Sequence, residues 1–374
     1  MLARGAASIL AAMRTILFAL GLLAAASATA QAQTVKGGMA VAEIRKTKTD
    51  IRVSGKRDEE KGLPLRTDTV MYGASLTKFA FAYMAMQLVD EGVIQLDWPI
   101  DRYLKKPLPD YEKYADLKGD ERWRKLTLRI LLSHTTGFAN FRFVEPDEKL
   151  RFHWEPGTRY GYSGEGINLA QFVLEEGLGL DVGQEMQRRV FDRFGMTRTS
   201  MTWRADFADN VAQGYTRDGT LIPHRKRGST RAAGSMDTTP ADYARFVAGF
   251  MRGEGLSPHA RAEMLKPQIA ITSRSQFPTL SDEKAPAGTV GLGLAAGLGV
   301  VVYDGPKGRV FFKGGHDDGT DNVLICDEAA KRCFLGFGNT NEAALHYPLL
   351  SEKALKLKTF PWWWEYSAKP QGFN

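Results

Sequence analysis

A run of apolar side chains that covers every face of a helix can occupy few places in a fold, and residues 76–89 form such a run. Leu76, Phe79, Phe81, Tyr83, Met84, Met86, Leu88 and Val89 surround the cylinder, and a helix apolar all round lies inside a core rather than on a surface. Gly92 follows Asp90 and Glu91 where a C′ glycine would end the helix. Ser75 stands at its mouth, and Lys78 is the one charged side chain in its first three turns. Residues three apart share a helix face, so the Lys78 amine is expected one turn below the Ser75 hydroxyl. A lysine in such a core is costly unless paired or used, and burial moves it toward the neutral, proton-accepting form. The spacing therefore predicts a nucleophile beside its activator. The alternative is a serine that only caps the helix.

The same Ser-x-x-Lys spacing recurs at Ser281-Asp-Glu-Lys284, but between Pro278 and Pro286 and without apolar periodicity, so it reads as a solvated loop. The first 32 residues carry the marks of a secretory signal: Arg14, an apolar stretch from Ile16 to Ala25, and small-x-small cleavage sites at Ala28–Ala30 and Ala30–Ala32. That stretch is short for a bilayer span and no lipobox cysteine follows, so the expectation is a periplasmic or secreted protein without a stable membrane anchor. The formal charge of +7 falls to +5 once the leader arginines Arg4 and Arg14 are set aside. Spread over 374 residues, this does not make a nucleic-acid-binding surface.

Strand patterns flank the chain, at Met39–Ala42 and Ile51–Ser54 and again across 288–303, 310–312, 322–326 and 333–337, with helical patterns between them. This predicts one α/β sheet built from both ends of the chain, interrupted by a large helical insertion. Cys326 and Cys333 flank a polar turn between two of those strands. Their sulfurs would lie close, and export would permit a disulfide; two buried thiols are the other reading. Gly291, Gly293 and Gly297 lack the G-x-G-x-x-G spacing and the helix that should follow it, so they read as flexible or close-packed strand glycines. No G-x-S-x-G and no H-E-x-x-H occurs. Neither a metal nor another cofactor is expected.

Five ordered stretches together resemble the serine β-lactamase and penicillin-binding protein superfamily, in the branch related to class C β-lactamases, D-aminopeptidases and family VIII esterases. Ser75-Leu-Thr-Lys78 resembles its S-x-x-K motif, Leu131-Leu-Ser-His-Thr-Thr-Gly137 its L-L-x-H-T-S-G segment, and the stretch from Trp154 to Tyr162-Ser-Gly164 its P-G-x-x-x-x-Y-S-N segment. Ala232-Ala-Gly-Ser-Met-Asp-Thr resembles the A-G-G-x-x-S-T turn, and His316-Asp-Asp-Gly-Thr320 the H-T-G-G-T counterpart of K-T-G. The resemblance implies an antiparallel sheet flanked by helices with an inserted helical subdomain. On that basis residues 33–358 form the hydrolase domain, with strands from about 37–70 and 288–340, a helical subdomain at about 95–235, and a Trp-rich tail at 359–374. It also implies catalytic roles for Ser75, Lys78, Tyr162 and His316, and an oxyanion hole from the backbone N–H groups of Ser75 and Gly319. Either Lys78 or Tyr162 can be the base, the latter only if a nearby cation lowers its pKa. Lys313-Gly-Gly315 offers a second register for the last motif, and His316 is preferred because Gly319-Thr320 then follows in place.

Two residues depart from the pattern. Gly164 stands where the family has Asn, and Asp318 where it has Gly. The lost amide points away from an efficient β-lactamase, and restoring it by Gly164→Asn is expected to favour amide substrates. The reading is an exported serine hydrolase that forms an acyl-enzyme on Ser75 and acts on a small ester or amide. The alternatives are a D,D-peptidase or weak β-lactamase acting on cell-wall peptides, and a non-catalytic homologue that contacts peptidoglycan, with Trp362-Trp-Trp364 either as a docking surface or packed back on the domain.

Overall fold

The computed structural model describes residues 36–46, 48–281, 284 and 292–366. The expected leader, the 288–291 part of one predicted strand, the two middle residues of the second Ser-x-x-Lys stretch and the end of the tail lie outside them.

Strands β1 (Gly38–Arg45), β2 (Lys48–Asp58), β3 (Leu63–Pro64) and β4 (Met71–Tyr72) lead into helix α1 (Leu76–Asp90). A mostly irregular and helical stretch follows, with α2 (Leu128–Leu132), α3 (Gly164–Phe172), α4 (Val182–Met186) and the short strands β5 (Gly214–Tyr215), β6 (Leu221–Ile222) and β7 (Asp237–Thr238). Helices α5 (Pro240–Arg252) and α6 (Pro258–Leu265) precede strands β8 (Ile269–Ala270), β9 (Ala295–Ala296), β10 (Val301–Gly305), β11 (Gly308–Asp317), β12 (Thr320–Asp327) and β13 (Arg332–Gly338). The described chain ends in α7 (Tyr347–Leu355) and α8 (Trp362–Tyr366).

Among the described residues nine strands make one sheet in the order β3-β2-β1-β13-β12-β11-β10-β9-β8. Its neighbours pair antiparallel, and β1 joins β13 so that both chain ends build one sheet, as the sequence pattern predicts. Side chains alternate across the pleat, and β11 shows this clearly. Phe311 faces α1 and α5, with its ring 5.9 Å from Phe79 and 5.6 Å from Phe250. Phe312 faces the other way, 4.8 Å from Phe360 and 6.1 Å from Trp364. The sheet therefore separates two cores, one under α1 and α5 and one under α7 and α8.

Helix α1 runs through the first core, and every residue from Leu76 to Leu88 is buried. Each large apolar side chain there contributes roughly 1.5–3 kcal/mol. Gly92 ends the helix at φ +72°, and the N–H of Val93 returns to the Leu88 carbonyl. The tail packs back on the sheet: Trp362 and Trp364 are buried in the second core. Cys326 and Cys333 face each other across the β12–β13 hairpin and form a disulfide.

Two details of pairing shape the cleft. Strand β4 pairs with β7 through Tyr72 and Asp237, which ties the approach to Ser75 to the loop before α5. Strand β10 pairs with β11 only as far as Phe312, so residues 313–317 are paired with β12 alone and leave one edge open.

Candidate active site

The chain enters α1 through Ala74, a non-glycine residue at φ +45°. That sparsely populated conformation persists only where the surroundings hold it. It delivers Ser75 at φ −74° and ψ −3°, already helical, and the side chain makes no cap hydrogen bond. The hydroxyl is instead turned to Lys78, whose Nζ lies 3.0 Å from Ser75 Oγ and donates to the Ala233 carbonyl at 2.6 Å. Lys78 is 1% exposed. Burial, and then repulsion from Lys313, hold its pKa well below the ordinary lysine value. A neutral Lys78 can accept the Ser75 proton while one of its own N–H bonds stays on Ala233. The loop that carries that carbonyl is fixed from α3: Ala233 N–H donates to Asn168 Oδ1 at 3.2 Å and Ala232 N–H to Gln171 Oε1 at 2.8 Å.

Tyr162 closes the other side of the serine. Its ring centroid is 4.9 Å from both Lys78 Nζ and Lys313 Nζ. Burial pushes its pKa far up, against the opposing pull of its hydrogen bond with Ser75. The expectation that a neighbouring cation would lower it is not met, because desolvation of the phenolate dominates and the Glu365 carboxylate adds to it. Tyr162 is a neutral phenol here, suited to relaying a proton, and Lys78 is the better base. His134 braces it with ring centroids 4.5 Å apart. The Ser163 N–H donates to His134 Nδ1 at 3.2 Å, and burial keeps this imidazole's pKa well below its usual value.

The third motif differs from the expected register. Lys313, not His316, reaches Tyr162: its Nζ lies 3.3 Å from the Tyr162 hydroxyl and is buried. Burial lowers its pKa to about 8, while the Glu365 carboxylate acts to raise it. Gly315 lies on the same face, and a Cβ there would meet the Gly73 carbonyl at 3.0 Å and the Ser75 nitrogen at 3.3 Å. A side chain there would force the backbone around Ser75 to give by a few tenths of an ångström, so glycine suits this close pass. His316 lies on the opposite face, with Nε2 3.1 Å from Glu365 Oε1 and Nδ1 3.4 Å from Asp321 Oδ1. The reason is the two-residue period of a strand, which sends positions 313 and 316 to opposite sides.

The expected oxyanion donor also moves. Asp318 and Gly319 are the two-residue turn between Asp317 and Thr320, with Gly319 at φ +70°. The Gly319 N–H is spent on Asn341 Oδ1 at 2.8 Å. The pair that closes such a hairpin exchanges both hydrogen bonds, and the next pair exchanges none. The N–H of His316 therefore points to the open edge of β11, next to Gly315 and the Ser75 amide. Asp318, expected at the rim beside the serine, is exposed at the hairpin tip.

Gly164 is the first residue of α3, and its N–H donates to Asn140 Oδ1 at 3.0 Å. A side chain there would run into the ring of Phe141, which stacks on the exposed Phe143 at 5.2 Å. Position 164 is not an empty notch. Among the described residues, no group of three or more His, Cys, Asp or Glu is placed to hold a metal ion, and no helix is long and apolar enough to cross a membrane.

Residues 23–350 match the family model described as Beta-lactamase. The chain is similar to monacolin J acid methylbutanoyltransferase of Aspergillus terreus (strain NIH 2624 / FGSC A1156), at 26% identity over 57% of this chain and 61% of the relative. It is similar to lovastatin esterase of Penicillium rubens at 29% identity over 36% of this chain and 40% of the relative. The chain thus spans less than two thirds of the length of either curated relative. In fold it is similar to D-alanine carboxypeptidase AmpC from Burkholderia cenocepacia, with a TM-score of 0.65 at 21% identity, covering 83% of this chain and 90% of that one.

Proposed function

Because the chain belongs to the beta-lactamase family, a fold family of serine hydrolases and acyltransferases, we propose that it is an exported enzyme that turns over small esters or amides through an acyl-enzyme on Ser75. The observation that carries this reading is the 3.0 Å approach of a buried, charge-depleted Lys78 to Ser75 Oγ. A serine hydroxyl is a weak nucleophile until a base is placed beside it.

In this reading Lys78 takes the hydroxyl proton as Oγ attacks the carbonyl carbon. The backbone N–H groups of Ser75 and His316 receive the oxyanion, a contribution worth about 10²–10³ in rate per donor. Tyr162 passes a proton to the departing alkoxide or amine, with cationic Lys313 supporting its hydroxyl at 3.3 Å. Water then resolves the acyl-enzyme, returning its proton through the same groups. An alcohol in place of water would give acyl transfer, and similarity to both an esterase and an acyltransferase favours keeping that second outcome. Esters rank first because their leaving group needs less positioning than an amide, and Phe141 covers position 164, where the family's amide side chain would stand.

The test is hydrolysis of p-nitrophenyl butyrate by the mature protein, together with intact-mass analysis after a fluorophosphonate. Turnover and a single phosphonyl adduct, both lost in Ser75→Ala, are expected. Turnover that survives Ser75→Ala removes this reading.

A further inference from the structure

Strand β11 lacks a side chain at Gly314, and the space is filled from the far end of the chain. A Cβ on Gly314 would fall on the carboxylate of Glu365 and lie 2.6 Å from His316 Nε2. Glu365, on α8, is 2% exposed. Its Oε1 is 3.1 Å from His316 Nε2, and its Oε2 accepts from Gln276 Nε2 at 3.2 Å. A buried carboxylate with two donors, set into a gap that only glycine leaves, is a built feature rather than a surface accident.

Beside it opens a cavity of about 240 Å³ whose walls include Arg217, Phe277, His316, Asn341, Glu365 and Tyr366. Phe277 also packs edge-on against Tyr162, with centroids 5.3 Å apart, so the cavity lies one aromatic ring from the reaction centre. Its charges are already matched. His316 is shared between Asp321 and Glu365, and Arg217 lies 3.4 Å from Glu342. Lys313, on the cleft side of Gly314, feels the Glu365 carboxylate as its favourable charge. An entering anion would meet the Asp321 and Glu365 carboxylates and, among the described residues lining the cavity, cations that already have partners. The neutral walls Phe277, Leu345 and Trp362 suit an uncharged group.

We propose that Glu365 is a specificity-determining residue whose carboxylate, seated where position 314 has no side chain, makes the adjoining cavity a subsite for a neutral group of the substrate and turns away substrates that carry a carboxylate there. The proposal rests on the Ser75 acyl-enzyme reading and adds the charge class of its substrate.

Two matched pairs test it: p-nitrophenyl butyrate against mono-p-nitrophenyl glutarate for the acyl side, and phenyl butyrate against 4-carboxyphenyl butyrate for the alcohol side. The wild type should favour the neutral member of at least one pair by fiftyfold or more in kcat/KM. Glu365→Gln should shrink that ratio at least tenfold, mainly through KM of the anionic ester. Gly314→Ala, whose methyl displaces the carboxylate, should shrink it in the same direction with Glu365 still present. Wild-type ratios within about threefold of unity in both pairs would overturn the proposal, as would an undiminished ratio in whichever variant still hydrolyses the neutral ester. If the wild type cleaves none of the four esters, the acyl-enzyme reading falls and this one with it. Cleavage without charge discrimination removes this one alone.

Discussion

Lys313 Nζ lies 3.3 Å from the hydroxyl of Tyr162, and Lys78 Nζ sits at the same 4.9 Å from that ring's centroid as Lys313 does. Two buried ammonium groups around one phenol repel each other, and only Lys313 has a carboxylate among the interactions acting on its charge. The pair therefore divides its work. In the proposed mechanism Lys78 is the neutral amine that accepts a proton, and Lys313 is the cation that supports Tyr162.

The pH dependence of kcat/KM should report that division. Lys313, with its pKa at about 8, loses its charge as pH rises through that value, so activity that needs the cation falls there. An acid limb should appear where falling pH protonates Lys78, below the ordinary lysine range. Lys313→Ala should lower kcat/KM at least tenfold and abolish the alkaline limb, while Lys313→Arg should keep more activity and lose the limb. A limb near pH 8 that persists in Lys313→Ala contradicts the assignment.

Lys78 should tolerate no substitute that keeps a permanent charge. A guanidinium cannot accept the Ser75 proton, so Lys78→Arg should fall about as far as Lys78→Met, by roughly 10²–10⁴ in kcat. Stopped-flow measurement of the acylation burst isolates this step. A burst rate for Lys78→Arg within tenfold of wild type would assign the base elsewhere.

Gly164→Asn was expected from sequence to restore an amide contact. The structure sets a steric cost against it, because the new side chain meets the Phe141 ring. Overpacking of this kind costs about 1–3 kcal/mol. The variant should show a lower urea midpoint and reduced ester turnover, and Phe141→Ala in the same chain should recover stability. Unchanged stability in Gly164→Asn would show that the ring yields freely.

His316 ties β11 to α8, and this link should depend on pH. Burial alone would lower its pKa, but hydrogen bonds to Asp321 and Glu365 and their charges raise it to about 9. A raised folded-state pKa adds stability that is fully present below the unfolded value of about 6.5 and lost as pH rises through about 9. The full linkage is of order 3 kcal/mol. Lys313, whose pKa is lowered, acts with the opposite sign, so the quantity to compare is wild type minus His316→Gln in urea midpoints from pH 6 to 10. That difference should shrink steadily from about pH 6.5 and be nearly gone once pH passes about 9; a constant difference would mean His316 is not charged in the folded protein.

What could be read before folding was local or periodic. The burial of α1 followed from an apolar surface on all sides, and the meeting of Ser75 and Lys78 from three-residue spacing on one helix face. Cys326 and Cys333 were legible because a short polar turn sets them opposite each other on a hairpin. The sheet itself was legible because strand patterns stood at both ends of the chain.

What only the tertiary structure decided lies where the period is two or the partner is distant. On β11, moving the motif by three residues exchanges the faces of the strand, and nothing within Lys313 to Thr320 says which face meets Ser75; the close pass of Gly315 against the Ser75 amide settles it. The pKa of Tyr162 depends on how much water is excluded around it, which no neighbour in sequence sets. Glu365 stands 51 residues beyond Gly314, and its carboxylate meets that glycine only because the second core seats α8 against the sheet. Sequence by itself determined the Ser75–Lys78 pair and the buried helix that carries it, since spacing on one face and an apolar surface on all sides are local properties. The groups that complete the site come from separate elements, and only packing brings them to one place.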